Sequence, residues 1–156
     1  MFGPIDVEGQ NYLLKPMNCP GHICIYQSRQ RSYRDLPLRY AEFGTVYRYE
    51  RSGVLHGMLR VRGFTQDDAH VFCTPEQVTV ETERLLDLVH EMLGVFGYPY
   101  TVELATRPDN ALGEPAVWDR AVRTLAGVLE ARGQPFTYDE GGGAFYGPKL
   151  DFKLID

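Results

Sequence analysis

The stretch RYERSGVLHGMLRVRGFTQDDAHVF, residues 48–72, decides how the rest of the chain is read. It presents two extended runs around a glycine-containing turn at 51–57. Side chains alternate between faces along a strand, so even and odd positions separate. On the second run the odd positions, from Leu59 through Val61, Gly63, Thr65, Asp67, Ala69 and Val71 to Cys73, are mostly small or apolar. That face suits packing against helices. The even positions are Met58, Arg60, Arg62, Phe64, Gln66, Asp68, His70 and Phe72, and Arg48 and Glu50 share their parity on the first run. The solvent face of a half-buried antiparallel strand is also polar. Such a face draws on Lys, Glu, Thr and Ser, however, and has little use for Phe64 and His70 beside Arg60 and Asp68. Guanidiniums suit phosphate or carboxylate oxygens, and an aromatic ring suits a planar base. The even row therefore reads as a floor for a nucleotide and a small polar molecule.

Upstream, Asn11–Lys15 is a short extended run, and Asn18 stands where it can cap a helix from Pro20 to about Arg31. Cys19 then falls at a helix N-terminus, which favours a thiolate; a small buried cysteine is the alternative. Downstream, Thr74-Pro75-Glu76-Gln77 has the form of a capping box. Val78, Thr82, Leu85, Val89, Met92, Leu93 and Phe96 follow at helical spacing, with His90 off the stripe and expected in solvent. A strand is expected at 98–105, a helix from about Glu114 to Arg132 with Gly133 as its stop, and strands at 136–138 and across 144–155. This order predicts an α+β fold, a mixed, largely antiparallel sheet flanked by helices, and the extended final run predicts part of a larger sheet.

The 156 residues, 44% hydrophobic and 24% charged, suffice for one domain with a core. No apolar run is long enough to span a bilayer, so no membrane partner is expected. Cysteines 19, 24 and 73 form neither a disulfide framework nor a CxxC motif, which points to a reducing, cytoplasmic setting. The net charge of −5 argues against a general nucleic-acid binder, yet residues 29–62 hold eight arginines against three carboxylates, a local +5 on a remainder of −10. A confined basic patch suits a phosphate-bearing ligand or one face of an RNA, or is simply solvated.

Four stretches, MNCPGH (17–22), SYRDLPLRYAEFGTVYRYERSG (32–53), LHGMLRVRGFTQDDAHVF (55–72) and GAFYGPKLDF (143–152), resemble the catalytic core of the threonyl-tRNA synthetase family, of the class II aminoacyl-tRNA synthetases. The resemblance covers nearly the whole chain. It implies ATP-dependent activation of L-threonine to threonyl-adenylate, with Mg2+ accompanying ATP, and transfer to tRNA(Thr) by a cytoplasmic homodimer. The Arg48-to-Phe64 hairpin is similar to the family's motif 2. By resemblance Arg48 holds the α-phosphate and the threonine carboxylate, Glu50 and the 51–57 loop meet adenine and the tRNA acceptor end, Arg60 reaches the γ-phosphate and Phe64 stacks on adenine. Cys19 and His70 match two ligands of a Zn2+ ion that binds threonine. Asp68 matches the acceptor for the threonine hydroxyl, Met17, Gln66 and Tyr146 match residues beside the amino acid, and Lys149 lies near the reacting groups. His22 is assigned to local structure, and His56 to the ATP or tRNA side of the loop.

The same resemblance places motif 1, motif 3, a third zinc ligand, the editing domain and the anticodon-binding domain outside residues 1–156. The expectation is thus one partial catalytic (aminoacylation) domain, a fragment or incomplete gene product, inactive alone. A non-catalytic synthetase-derived RNA-binding module is the first alternative, and intact chemical residues argue against it. A prolyl or seryl enzyme is disfavoured by Cys19 with DDAH at 67–70, and a simple zinc protein by the lack of closely spaced Cys/His pairs.

Overall fold

Strand alternation becomes hairpins of very different length in the computed structural model, which describes residues 1–155. The chain divides into two compact units, Met1–Thr74 and Pro75–Asp156. The first begins with a small antiparallel pair, β1 (Ile5–Val7) and β2 (Gln10–Tyr12), turned by Glu8 and Gly9 in positive φ. Helix α1 covers Cys19–Gln27 with Pro20 in its first turn, where a missing N–H costs nothing. It ends at Gln27, short of the expected Arg31. Asn18 occupies the N-cap position, but its side chain makes no capping hydrogen bond. The amide is instead buried against Gly44 with neither polar atom hydrogen-bonded.

The long hairpin joins β3 (Leu38–Tyr47) to β4 (Gly63–Phe72), antiparallel over all ten residues, from Leu38 opposite Phe72 to Tyr47 opposite Gly63. The second expected run, from Met58, is shorter than its alternation predicts. Residues 58–62 lie in the connection, where a 3-10 turn (Ser52–Val54) and a bridge between His56 and Arg60 replace the ladder. Gly57, at φ +50, supplies the reversal there.

The faces also differ from expectation. The odd face is open: Thr65, Asp67 and Ala69 are exposed, and Phe43 on the paired strand is 87% exposed. The even face is the one a helix covers. Tyr26 of α1 stacks on Phe72 with centroids 4.3 Å apart, and His22 meets Tyr40 and His70 edge-on. The reason lies in size: Gly44, on the even face of β3, lets α1 come close, and aromatic rings at 40 and 72 give it something to pack on.

In the second unit a 3-10 turn at Pro75–Gln77 leads into α2 (Val78–Phe96), which ends at Gly97 in the left-handed conformation. Strand β5 (Tyr100–Ala105) is central in a three-stranded sheet, parallel to β6 (Thr137–Asp139) and antiparallel to β7 (Lys149–Leu154). Helix α3 (Pro115–Ala131) connects them; beyond it Gly133, at φ +64, turns the chain so that Gln134 N–H donates to the Leu129 carbonyl at 2.9 Å. Leu86, Val102, Val128 and Leu129 form the core, with Tyr100, Phe136, Leu150 and Phe152 packed on it. His90 is half-buried beside Tyr100, 5.8 Å between centroids, and not in solvent as its place off the stripe implied. Lys153, hydrogen-bonded to Glu103 across the sheet, is held above the usual lysine range. The architecture is α+β, with the strands of the described residues in three small sheets instead of one.

Candidate nucleotide and metal site

Backbone hydrogen bonds fix the entrance to the hairpin loop. Tyr47 N–H donates to the Lys15 carbonyl at 2.8 Å, and Arg48 N–H to the Arg62 carbonyl at 2.8 Å. The Lys15–Pro16 segment is thereby tied beside the end of β3. Arg48 Nε donates to the Pro16 carbonyl at 3.1 Å, and its guanidinium stands 5.3 Å from the centre of the Phe64 ring. Arg60 Nε is 3.5 Å from Glu50 Oε2. Arg48, Glu50, Arg60 and Phe64 converge, with Met58, Leu59 and Val61, on one open cleft of about 350 Å3. Two guanidiniums, a carboxylate and a ring face are therefore brought together although 58–62 is not strand. Arg62, which the alternation placed in the same row, is used differently. Its Nε donates to the Glu50 carbonyl at 3.0 Å and its guanidinium packs 5.3 Å from the Tyr49 ring, so it braces the loop. His56 is exposed, and its backbone exchanges 3.2 Å hydrogen bonds with Arg60.

Further along β4, Gln66, Asp68 and His70 follow Phe64 on the same half-buried face. The loop before α1 carries Met17, which is exposed, and the start of α1 carries Cys19. Donor atoms of Cys19, Asp68 and His70 lie within 4.8 Å of one another. A thiolate, an imidazole and a carboxylate at this spacing suit a borderline-soft divalent cation such as zinc. The hairpin register explains the meeting on β4, because i and i+2 share a face; Cys19 joins them because α1 lies over that face.

Behind His70 stands a pair that sequence reading did not join to the site. His22, 4% exposed, has Nδ1 2.7 Å from His70 Nδ1 and Nε2 3.1 Å from Glu42 Oε1. Glu42 is opposite Asp68, and Tyr40 opposite His70, in the hairpin register. The even parity of Glu42 on β3, opposite Asp68, is the signal that could have found it. Tyr146 and Lys149 belong to the second unit: Tyr146 is exposed, and Lys149 opens β7 paired with Asp151.

A family model described as the tRNA synthetase class II core domain (G, H, P, S and T) matches residues 3–156. The threonine–tRNA ligase of a Synechococcus species is 57% identical over 157 aligned residues, covering 100% of this chain and 26% of that protein. The threonine–tRNA ligase of Syntrophotalea carbinolica is 56% identical over 97% of the chain and 24% of its own length. A solved structure described as the RNA binding domain of threonyl-tRNA synthetase from Cryptosporidium parvum is 44% identical, with TM-score 0.88 over 98% of this chain and 38% of that one. The chain thus spans about a quarter of the length of the curated relatives it matches.

Proposed function

The chain belongs to the class II tRNA synthetase core-domain family, and from that membership we propose that it carries the ATP- and threonine-binding part of a threonine–tRNA ligase. The observation that supports this most is the convergence of Arg48, Glu50, Arg60 and Phe64 on one cleft. In the reaction a carboxylate oxygen of threonine attacks the α-phosphorus of ATP, the bond to the bridging oxygen breaks, and pyrophosphate leaves. Arg48 steadies the α-phosphate and the carboxylate, whose charges develop together. Adenine enters by taking the Phe64 face over which the Arg48 guanidinium now lies, and the guanidinium swings toward the phosphates. Arg60 exchanges Glu50 for the γ-phosphate, leaving the Glu50 carboxylate to accept from the adenine amino group. Mg2+ bound to ATP would shield the phosphate charge beside Arg48 and Arg60. Met17 and Gln66 border the amino acid.

Cys19 and His70 would hold zinc, which supplies a Lewis-acid grip on the amino and hydroxyl groups of threonine. Asp68 accepts the hydroxyl hydrogen. Valine is nearly isosteric with threonine, and an apolar pocket separates such shapes poorly. A half-buried carboxylate left without its donor rejects valine more strongly. The terminal ribose hydroxyl of tRNA then attacks the threonyl carbonyl, releasing AMP.

Equilibrium binding of Mg·ATP to the chain tests this reading. Arg48→Ala should weaken binding at least about tenfold, since a charge-assisted hydrogen bond is worth about 1.5–3 kcal/mol. A chain with no affinity for Mg·ATP would sink the proposal. A second reading, an RNA-binding module without catalysis, draws on the description of the Cryptosporidium parvum neighbour and on the arginine patch at 29–62. Tight, salt-dependent binding of a tRNA acceptor stem without any nucleotide binding would favour it.

A further inference from the structure

The hydrogen positions on His22 and His70 are dictated from one end, by Glu42. A carboxylate can only accept, so the His22 Nε2 that lies 3.1 Å from Glu42 Oε1 carries the hydrogen. With the His22 imidazole taken as neutral, its one N–H is on Nε2 and Nδ1 keeps a lone pair. The 2.7 Å contact between the two Nδ1 atoms then requires the hydrogen on His70 Nδ1. His70 Nε2 is left with its lone pair. The reverse polarity would set a lone pair of His22 against the Glu42 carboxylate. Water is not at hand to repair that, because His22 is 4% exposed and its ring is held edge-on to His70 and Tyr40. The other Glu42 oxygen lies 3.9 Å from the Lys15 ammonium, the charged group that faces this carboxylate beside the neutral His22 ring.

We propose that Glu42 and His22 are positioning residues for His70: they lock it in the Nδ1–H form, so that Nε2 is the nitrogen offered, with Cys19, to a divalent cation. Neither positioning residue touches the cation. The proposal rests on the zinc reading given above and deepens it. A ring-nitrogen ligand whose other nitrogen donates to a fixed acceptor is both oriented and made more basic, and loss of such a partner lowers metal affinity about 10- to 100-fold. Here the acceptor is a second histidine, itself polarised by a carboxylate, which places the origin of the effect on β3 and not on β4.

The lock is read without any metal, by long-range 1H–15N correlation of the imidazoles in the metal-free 156-residue chain at about pH 8, where free imidazole is neutral. The expected spectrum shows His22 as Nε2–H and His70 as Nδ1–H, with His70 released from that form in Glu42→Leu and in His22→Phe. His70 found as Nε2–H in the unsubstituted chain overturns the proposal. Cobalt(II) titration followed by visible absorption supplies the second readout. Binding with a thiolate charge-transfer band should vanish in Cys19→Ala. It should weaken about 10- to 100-fold in Glu42→Leu and His22→Phe, and recover in Glu42→Gln, whose amide oxygen still accepts. Cobalt binding that depends on Cys19 but is unchanged in Glu42→Leu and His22→Phe would defeat the positioning role and leave the zinc reading intact. No cobalt binding at all would defeat the zinc reading, while the nitrogen spectra still decide the lock.

Discussion

Asn18 and Gly44 meet where α1 crosses β3, and their fit sets how closely the cysteine-bearing end of the helix approaches the sheet. A Cβ on Gly44 would overlap the Asn18 side chain, which is 1% exposed and has no room to withdraw. Gly44→Ala should therefore destabilise the first unit by about 1–3 kcal/mol, the usual cost of overpacking. Adding Asn18→Ala should return most of that loss, because it removes the overlapping atoms and an amide whose polar atoms are buried without partners. Denaturant unfolding of the single and double variants checks this; equal losses in both would refute the fit. Asn18 itself was legible as a residue at a helix start. Its burial against a glycine 26 positions away in sequence was not, since nothing local to MNCPGH specifies the strand beneath it.

At the scale of elements, the ten-residue pairing of β3 with β4 is what keeps Phe64, Gln66, Asp68 and His70 on one face with Tyr40 and Glu42. A slip of one residue would send every one of them to the open face. In the second unit α2, α3 and the three-stranded sheet share one core, and Leu129 lies in it at 0% exposure beside Leu86, Val102 and Val128. Leu129→Ala should cost about 2–5 kcal/mol, transfer and cavity terms together, measured as a fall in the denaturant midpoint at unchanged slope. A loss below about 1 kcal/mol would show that α3 is not anchored there. Helices α2 and α3 were legible because a 3.6-residue repeat survives over several turns and because Gly97 and Gly133 mark their ends. The short α1 closes at Ser28 with no glycine, and its end was misplaced. The run at 58–62 was misread as strand because its alternation is strand-like, while Gly57 and the bridge between His56 and Arg60 bend it into a turn.

For the molecule as a whole, the arginine-rich segment 29–62 gives an acidic chain one basic region, and part of that region lines the cleft at Arg48 and Arg60. Among the described residues no helix is long and apolar enough to cross a membrane. The 156 residues match about a quarter of their curated relatives, and chemistry of this class requires several cationic groups around one phosphate chain. On the proposed function, threonine-dependent exchange of pyrophosphate into ATP is the direct readout of the adenylation step, and any exchange by this chain should be lost in Arg48→Ala. Exchange above background that is lost in Arg48→Ala would show the site to be complete within these residues.

By itself the sequence determined the α+β class, the helices, the turn glycines and the row of chemically varied residues on β4. Each depends on periodicity or on backbone freedom, which are properties of neighbouring residues. The resemblance, carried by four motifs in order, named the family. Only the tertiary structure decided that the row continues across the hairpin to Glu42, that a helix covers this face and leaves the other open, and that His22 stands between Glu42 and His70. Those contacts join residues 20 to 48 positions apart. Their hydrogen bonds are set by where whole elements come to rest, and no local pattern encodes that.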